Sequence, residues 1–344
     1  MTSPEDSLPA DKTGKKLHPY PTGWYVLAKS DEIKNGTLLT KQFTGKDVVI
    51  FRTQTGKLSI VDAYCPHMGA HFGHGGDVKG ETIRCPFHYF CFDTKGTCTE
   101  TGYNTTPPPK AVLKTYHHKE INGFVIIWHD INNNEPSWHI PEADSTGWSE
   151  IMTTDFELNS HPQETTENSV DVGHFSIVHK YTNVHDLKEL TANGPYLNAS
   201  YGFNREGGIL NNAGIKAQIN IHVHGLGYSF VEVTLPEMGL QTRQYVFPTP
   251  VADGKIILKI GMSVKKIEKP YKLNPFLAVV PKSLVNRFVL KQAFKGYAHD
   301  VSQDFAVWQN KIFIDQPALA MGDGPIIKYR KWAKQFYAGL DGTK

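Results

Sequence analysis

The sequence predicts an α+β protein in two parts: a β-rich N-terminal domain, then an antiparallel sheet accompanied by helices. Three observations carry this. Short apolar runs at residues 24–28, 47–53, 58–63 and 123–128 are punctuated by turn residues such as Gly56, Gly80 and Gly96, as in a small sandwich or barrel. Longer alternating runs at 217–223, 228–235, 242–247 and 255–264 suit an antiparallel sheet with one buried face. Helical patterns occur at 170–180 and again near the C-terminus, at 284–294, 300–311 and 325–340.

The chain has 344 residues, room for about two domains at the usual size of a domain. Residues 1–18 read as a polar tail, 19–142 as the first domain and 143–344 as the second. The stretch 130–147, rich in Asn, Pro, Ser and Asp, connects them. Lys plus Arg is 36 against 34 acidic residues, a formal charge of +2, which argues against nucleic-acid binding. No apolar run reaches the length of a membrane span, and the N-terminus carries no secretory pattern. These features predict a cytoplasmic protein whose four cysteines stay reduced and act as ligands or buried thiols rather than bridges.

The most specific signal is Cys65-Pro66-His67, followed after 17 residues by Cys85-Pro86-Phe87-His88. Each half offers one thiolate and one imidazole, a donor set suited to Zn²⁺ or an iron–sulfur cluster. Zinc knuckles usually pair Cys with Cys and His with His. The alternation seen here lets two thiolates take one iron and two imidazoles the other, which is Rieske [2Fe–2S] ligation. Cys91 and Cys98 have no place in that pattern and read as buried thiols. His71 and His74, close to the motif, read as structural or solvent-facing.

A second constellation is Asn168-x-x-Asp171-x-x-His174-x4-His179. Histidines five apart on a regular helix point about 140° apart with ~7.5 Å of rise between them. To share a metal they need a departure from the helix, such as a π-bulge or a break at Gly173. From the residues alone, Asp300, Asp304, Asp315 and Asp323 all remain open as a third ligand.

Together the two constellations resemble the Rieske non-heme iron oxygenases. The resemblance implies a helix-grip (START-like) catalytic domain, with Cys65, His67, Cys85 and His88 on the [2Fe–2S] cluster. It also implies a mononuclear Fe²⁺ held by His174, His179 and a later aspartate. The family pattern of an aspartate four residues before a tryptophan selects Asp304, with Trp308. Asp171 would hydrogen-bond His174 and face the Rieske histidine of a neighbouring subunit, implying a ring-shaped homotrimer. Asn168 would sit close to the iron. One departure is Tyr89-Phe90, where many members carry Gly-Trp after the second histidine.

The stretches Val307–Lys311, Asp323-Gly324-Pro325, Tyr329–Trp332 and Gln335–Tyr337 resemble the 3-ketosteroid 9α-hydroxylase and cholesterol 7-desaturase branch. That branch implies O₂ as co-substrate and a hydrophobic steroid or sterol-like substrate. Electrons would come from a ferredoxin or an NAD(P)H-linked reductase, since this sequence has no flavin or nicotinamide motif. Hydroxylation, desaturation and oxidative demethylation remain open, as does an aromatic or amine substrate. A non-catalytic Rieske carrier or lipid-binding protein is the reading from another class. The resemblance is weak over residues 181–281. There, His222 and His224 share a strand face, where a structural role is preferred to a cavity-lining one. Residues 275–281, apolar and flanked by lysines, read as a pocket lid touching a membrane surface, against a simple packed loop.

Overall fold

The computed structural model describes residues 17–205, 214–268, 270–272, 276 and 279–338. Residues 1–16 of the polar tail lie outside them, as do 275, 277 and 278 of the lid segment and 339–344. Where the tail enters the described region it is docked, because the His18 carbonyl accepts a hydrogen bond from His161 Nε2 at 2.9 Å.

The first domain contains β1 (Gly23–Lys29), β2 (Thr37–Phe43), β3 (Lys46–Arg52), β4 (Leu58–Asp62), β5 (Asp77–Lys79), β6 (Thr82–Arg84), β7 (Cys91–Phe92), β8 (Cys98–Glu100), β9 (His118–Ile121) and β10 (Phe124–His129). They make three antiparallel sheets, β1-β10-β9, β2-β3-β4 and β5-β6-β7-β8. The apolar run of β3 is continuous because both of its faces are covered. Val48 and Ile50 pack with Tyr25 and Leu27, while Val49 and Phe51 pack in a second core with Cys65 and Cys85.

The second domain is built on a seven-stranded antiparallel sheet. Its strands are β11 (Met152–Leu158), β12 (Thr182–Asn193), β13 (Tyr196–Arg205), β14 (Ile215–His224), β15 (Tyr228–Leu235), β16 (Leu240–Ala252) and β17 (Lys255–Val264), in the order β11-β17-β16-β15-β14-β13-β12. Among the described residues five α-helices accompany it: α1 (Pro162–Glu167), α2 (Val172–Ile177), α3 (Lys282–Ser302), α4 (Phe305–Asn310) and α5 (Ile326–Ala333). Helix α3 buries Leu290, Phe294 and Tyr297 against β11 and β17. Helix α5 places Tyr329 and Trp332 in the core formed by β13 and β14.

The four alternating runs expected in this domain are strands β14 to β17. Strands β11, β12 and β13 and helix α1 were not anticipated. Strand β12 is an edge strand with few buried residues and several register shifts, so its sequence carries little alternation. The single helix expected over 300–311 is broken instead, with α3 ending at Ser302 and α4 starting at Phe305. The helix expected over 325–340 is α5 followed by a 3₁₀ turn, Lys334–Tyr337.

A shared core joins the domains: Trp24, Phe124 and Trp128 from the first pack with Tyr228, Tyr245 and Phe247 of the sheet. Main-chain bonds from Thr44 N to the Pro250 carbonyl (2.9 Å) and from Gly45 N to the Val251 carbonyl (2.8 Å) add to it. At Gly227 the two backbones touch, because a Cβ there would lie 2.4 Å from the Trp24 carbonyl oxygen and equally near the Tyr25 ring. Gly227→Ala is therefore expected to cost about 1–3 kcal/mol by overpacking, read as a lowered midpoint in urea denaturation.

Candidate metal centres

The two cysteine–histidine segments fold as matching loops. In the first, Cys65 N–H donates to the Ala70 carbonyl (2.8 Å) and Gly69 N–H returns to the Cys65 carbonyl (2.9 Å). In the second, Cys85 N–H donates to the Phe90 carbonyl (2.8 Å) and Tyr89 N–H returns to the Cys85 carbonyl (3.2 Å). The residue four after each cysteine is left-handed: Gly69 at φ +76° and Tyr89 at φ +54°. A non-glycine residue in this conformation costs about 1–2 kcal/mol, which marks where this chain departs from the Gly-Trp pattern. Arg84 lies over the Tyr89 ring, 5.0 Å from its centroid, and is paired to Asp77.

The loops bring all four residues together. Cys65 and Cys85 are buried with their thiols in contact, and burial pushes the Cys65 thiol up to about 12. The His67 and His88 rings meet edge to face, 4.8 Å between centroids, and His67 stacks on Phe90 at 4.2 Å. His88 Nδ1 is buried and has no hydrogen-bond partner. A buried thiol pair beside an orphaned imidazole nitrogen fits a [2Fe–2S] cluster taking two sulfurs and two nitrogens. Gly102, which the sequence reading did not single out, lets the second loop close. A Cβ there would fall 2.5 Å from the His88 carbonyl oxygen. His71 is held by Asp47 (3.3 Å) and by the Gly73 N–H (2.9 Å), a structural role. Cys91 and Cys98 are buried thiols.

The second centre forms where α2 faces α4. The Asp171 carboxylate caps α2 by accepting the His174 main-chain N–H at 3.1 Å. The helix stops at Ile177, so the departure needed between His174 and His179 comes at its C-terminal end and not at Gly173. His179 N–H reaches back five residues to the His174 carbonyl (3.4 Å), and Lys180 turns left-handed at φ +60°. As a result the two rings sit 5.1 Å apart. Asp304 occupies the break between α3 and α4, buried, with Oδ2 3.6 Å from His179 Nε2. One donor atom from each of His174, His179 and Asp304 lies within 4.8 Å of the others. Of the rival aspartates, Asp300 pairs with Arg205 at 2.8 Å and Asp323 accepts the Ala320 N–H.

Both rings are oriented from behind. His174 Nδ1 donates to the Asp171 main-chain carbonyl, and His179 Nδ1 donates to Gln303 Oε1 at 3.0 Å. Each therefore has Nε2 left as the ring atom available to a metal. Asp171 thus hydrogen-bonds His174 as expected, by two groups: its carbonyl takes the ring, while the carboxylate holds the backbone and stands 3.9 Å from the ring. Burial pulls the His174 imidazole down to about 4, so it stays neutral. Burial pushes the Asp304 carboxyl up to about 6, against the opposing pull of His179. Asn168 Oδ1 accepts the Trp308 indole N–H at 3.3 Å, linking the turn before α2 to α4.

A buried charge network, not foreseen, ties the same elements together. Lys311 closes α4 and puts Nζ 2.5 Å from Glu164 and 3.8 Å from Glu167, both on α1. Arg330 of α5 grips Glu167 with two bonds of 2.7 and 2.9 Å. The Glu167 carbonyl in turn accepts the Val170 and Asp171 N–H groups. The paired residues lie between 144 and 163 positions apart in sequence, so no local pattern announces them.

His222 and His224 lie on the opposite sheet face from Tyr201 and Phe203, which touch Phe175 of α2. His222 is bonded on both nitrogens, to Tyr196 (2.7 Å) and Asn220 (2.8 Å), as a structural histidine should be. A cleft of about 660 Å³ lies elsewhere, in the first domain among Lys46, Lys114, Tyr116 and His129, and shares no lining residue with the second centre.

The profile described as the Rieske [2Fe-2S] domain matches residues 23–117, and that of the 3-ketosteroid 9alpha-hydroxylase C-terminal domain matches 127–337. The chain belongs to the Rieske oxygenase family. The second match runs through residues 181–281, where the resemblance read from the sequence was weak. Cholesterol 7-desaturase of Drosophila melanogaster is 31% identical over 93% of this chain and 76% of its own length. The 3-ketosteroid-9-alpha-monooxygenase oxygenase component of Rhodococcus rhodochrous is 27% identical over 93% and 82%. Among solved structures, dicamba monooxygenase bound to dicamba superposes with a TM-score of 0.63 at 16% identity, covering 92% of this chain and 97% of that one. NdmA of Pseudomonas putida CBB5 superposes at 0.66 and 17%, covering 90% and 88%. These two show the same fold. The Rieske oxygenase described here is thus an oxidoreductase with steroid- and sterol-oxidising relatives.

Lys311→Met leaves the buried Glu164 carboxylate without its nearest cation. A loss of about 3 kcal/mol is expected, measured by urea denaturation, with most of it regained when Glu164→Gln is added.

Proposed function

We propose that this chain is the oxygenase component that uses O₂ to oxidise a C–H bond of a steroid or sterol-like substrate, working in the cytoplasm. The observation that carries the reading is the convergence of His174, His179 and Asp304 from two separate segments, inside a region matching the 3-ketosteroid 9α-hydroxylase profile. In this reading His174, His179 and Asp304 hold Fe²⁺, and Cys65, His67, Cys85 and His88 hold the [2Fe–2S] cluster. The two centres would supply O₂ activation at the iron and one-electron delivery from the cluster.

The protein's own groups prepare that chemistry. The His174 and His179 rings are fixed in orientation by Asp171 and Gln303, with Nε2 left as the metal-facing atom. Asn168 steadies Trp308 and, through its contact with Asp304, the third ligand. Beyond His179 a stack of aromatic rings runs through Tyr181 to the buried Phe203, parallel and 4.2 Å apart, and backs the second centre with apolar side chains.

A separate ferredoxin or ferredoxin reductase is proposed as electron source, together with a head-to-tail homotrimer. Two exposed apolar faces support the trimer. One surrounds the cluster loops at Tyr64, Met68, Phe87 and Tyr103; the other borders the second centre at Ile177, Ile312 and Met321. Asp171 lies beside the latter face with a partly exposed carboxylate.

Iron analysis tests the reading: three irons per chain are expected, and two would mean a carrier. Turnover with a ferredoxin and reductase on sterols, ketosteroids and small aromatics should favour the first two. Asp304→Ala should abolish it and leave two irons, with the cluster's visible spectrum unchanged. Full turnover in that variant would discard the iron ligand set.

A pH dependence follows as well. Fe²⁺ must displace the Asp304 proton below about pH 6, whereas His174 is already neutral. Ferrous affinity should be level near pH 7 and fall about tenfold per unit well below pH 6, measured by Fe²⁺ titration.

A further inference from the structure

Helix α3 has two unlike ends. Its C-terminal end leads through Gln303 to Asp304. Its N-terminal half presents apolar side chains to solvent, with Leu284 58% and Phe288 64% exposed. One turn apart, these two share a face. The inner face, with Val285, Leu290, Phe294 and Tyr297, is already buried, so Leu284 and Phe288 are surplus to the core. The outer stripe continues as Arg287, Lys291 and Lys295, all exposed, and no Asp or Glu occurs from Lys282 to His299. Just before the helix, Tyr271 (50% exposed) and Val279 (90% exposed) extend the apolar surface. Before the helix the nearest acid in sequence, Glu268, is paired to Lys282 at 2.9 Å, and at its far end Asp300 is paired to Arg205 at 2.8 Å.

We infer that this face of α3 docks on an anionic lipid bilayer. Leu284 and Phe288 would enter the headgroup boundary, with Arg287, Lys291 and Lys295 at the level of the lipid phosphates. An unbroken cationic stripe beside two apolar anchors matches a surface of uniform negative charge, where no precise partner geometry is required. The helix lies flat on the membrane and does not cross it. Among the described residues no helix is long and apolar enough to span. The docking goes beyond the proposed oxygenase reaction and does not depend on it. If that reaction is as proposed, a bilayer-dissolved substrate would be met at one end of the helix whose other end leads to Asp304.

The test is co-sedimentation of the full chain with phosphatidylcholine vesicles, with and without phosphatidylglycerol, at low and high salt. Binding is expected only with the anionic lipid and only at low salt. Lys291→Glu with Lys295→Glu should weaken it by at least about 30-fold. Leu284→Ser with Phe288→Ser should weaken it about tenfold, with the cluster's visible spectrum intact in both. Equal sedimentation with and without anionic lipid, or variants that bind like wild type, would overturn the inference. So would a change of oligomeric state in the Leu284→Ser, Phe288→Ser variant without vesicle binding by the wild type. That result would make the face a contact between copies of this chain.

Discussion

The second centre depends on holding together two segments that sequence separates widely. The turn from Asn168 to His179 supplies two nitrogens, and the break at Asp304 supplies a carboxylate. Neither element is long enough to be stable alone, since α1, α2 and α4 have six residues each. What fixes their spacing is the charge network behind them, with Lys311 against Glu164 and Glu167, and Arg330 against Glu167. Its polarity is in keeping with its task. An apolar contact would keep the helices close, whereas a directed ion pair also fixes their rotation.

Around that constraint the sheet serves as a platform. Its β13–β14 part supports α5 and the ring of Phe175, and its β11–β17 part supports α3. The first domain packs on the middle strands through tryptophan and phenylalanine side chains. The cluster loops and the second centre are therefore both anchored to one rigid frame.

Much of this was legible in the sequence. The Cys–Pro–His and Cys–Pro–Phe–His loops could be read because all candidate ligands of a loop are neighbours in the chain, and a short turn needs little context. The five-residue spacing of His174 and His179 also announced that the helix must fail there. Where it fails was open between a π-bulge and a break at Gly173; the five-residue, π-type back-bond from His179 and the left-handed Lys180 end the helix. Strand β12 and the Glu164–Lys311 pair escaped for two reasons. An edge strand keeps no alternation, and long-range ion pairs leave no periodic trace. Asp304 was distinguished from Asp300, Asp315 and Asp323 by family pattern alone, because their physical difference, burial against His179, exists only after folding.

The division of labour within Asp171 has a consequence for how this centre can change. Its main-chain carbonyl aims the His174 ring, so the aim survives any side chain at that position that preserves the backbone. Its carboxylate, bonded to a main-chain N–H and partly open to solvent, carries the charge. Direction and charge at one residue are thus separable quantities. Mutation can adjust the electrical coupling of the site to its surroundings while the geometry of the nitrogen donor stays inherited.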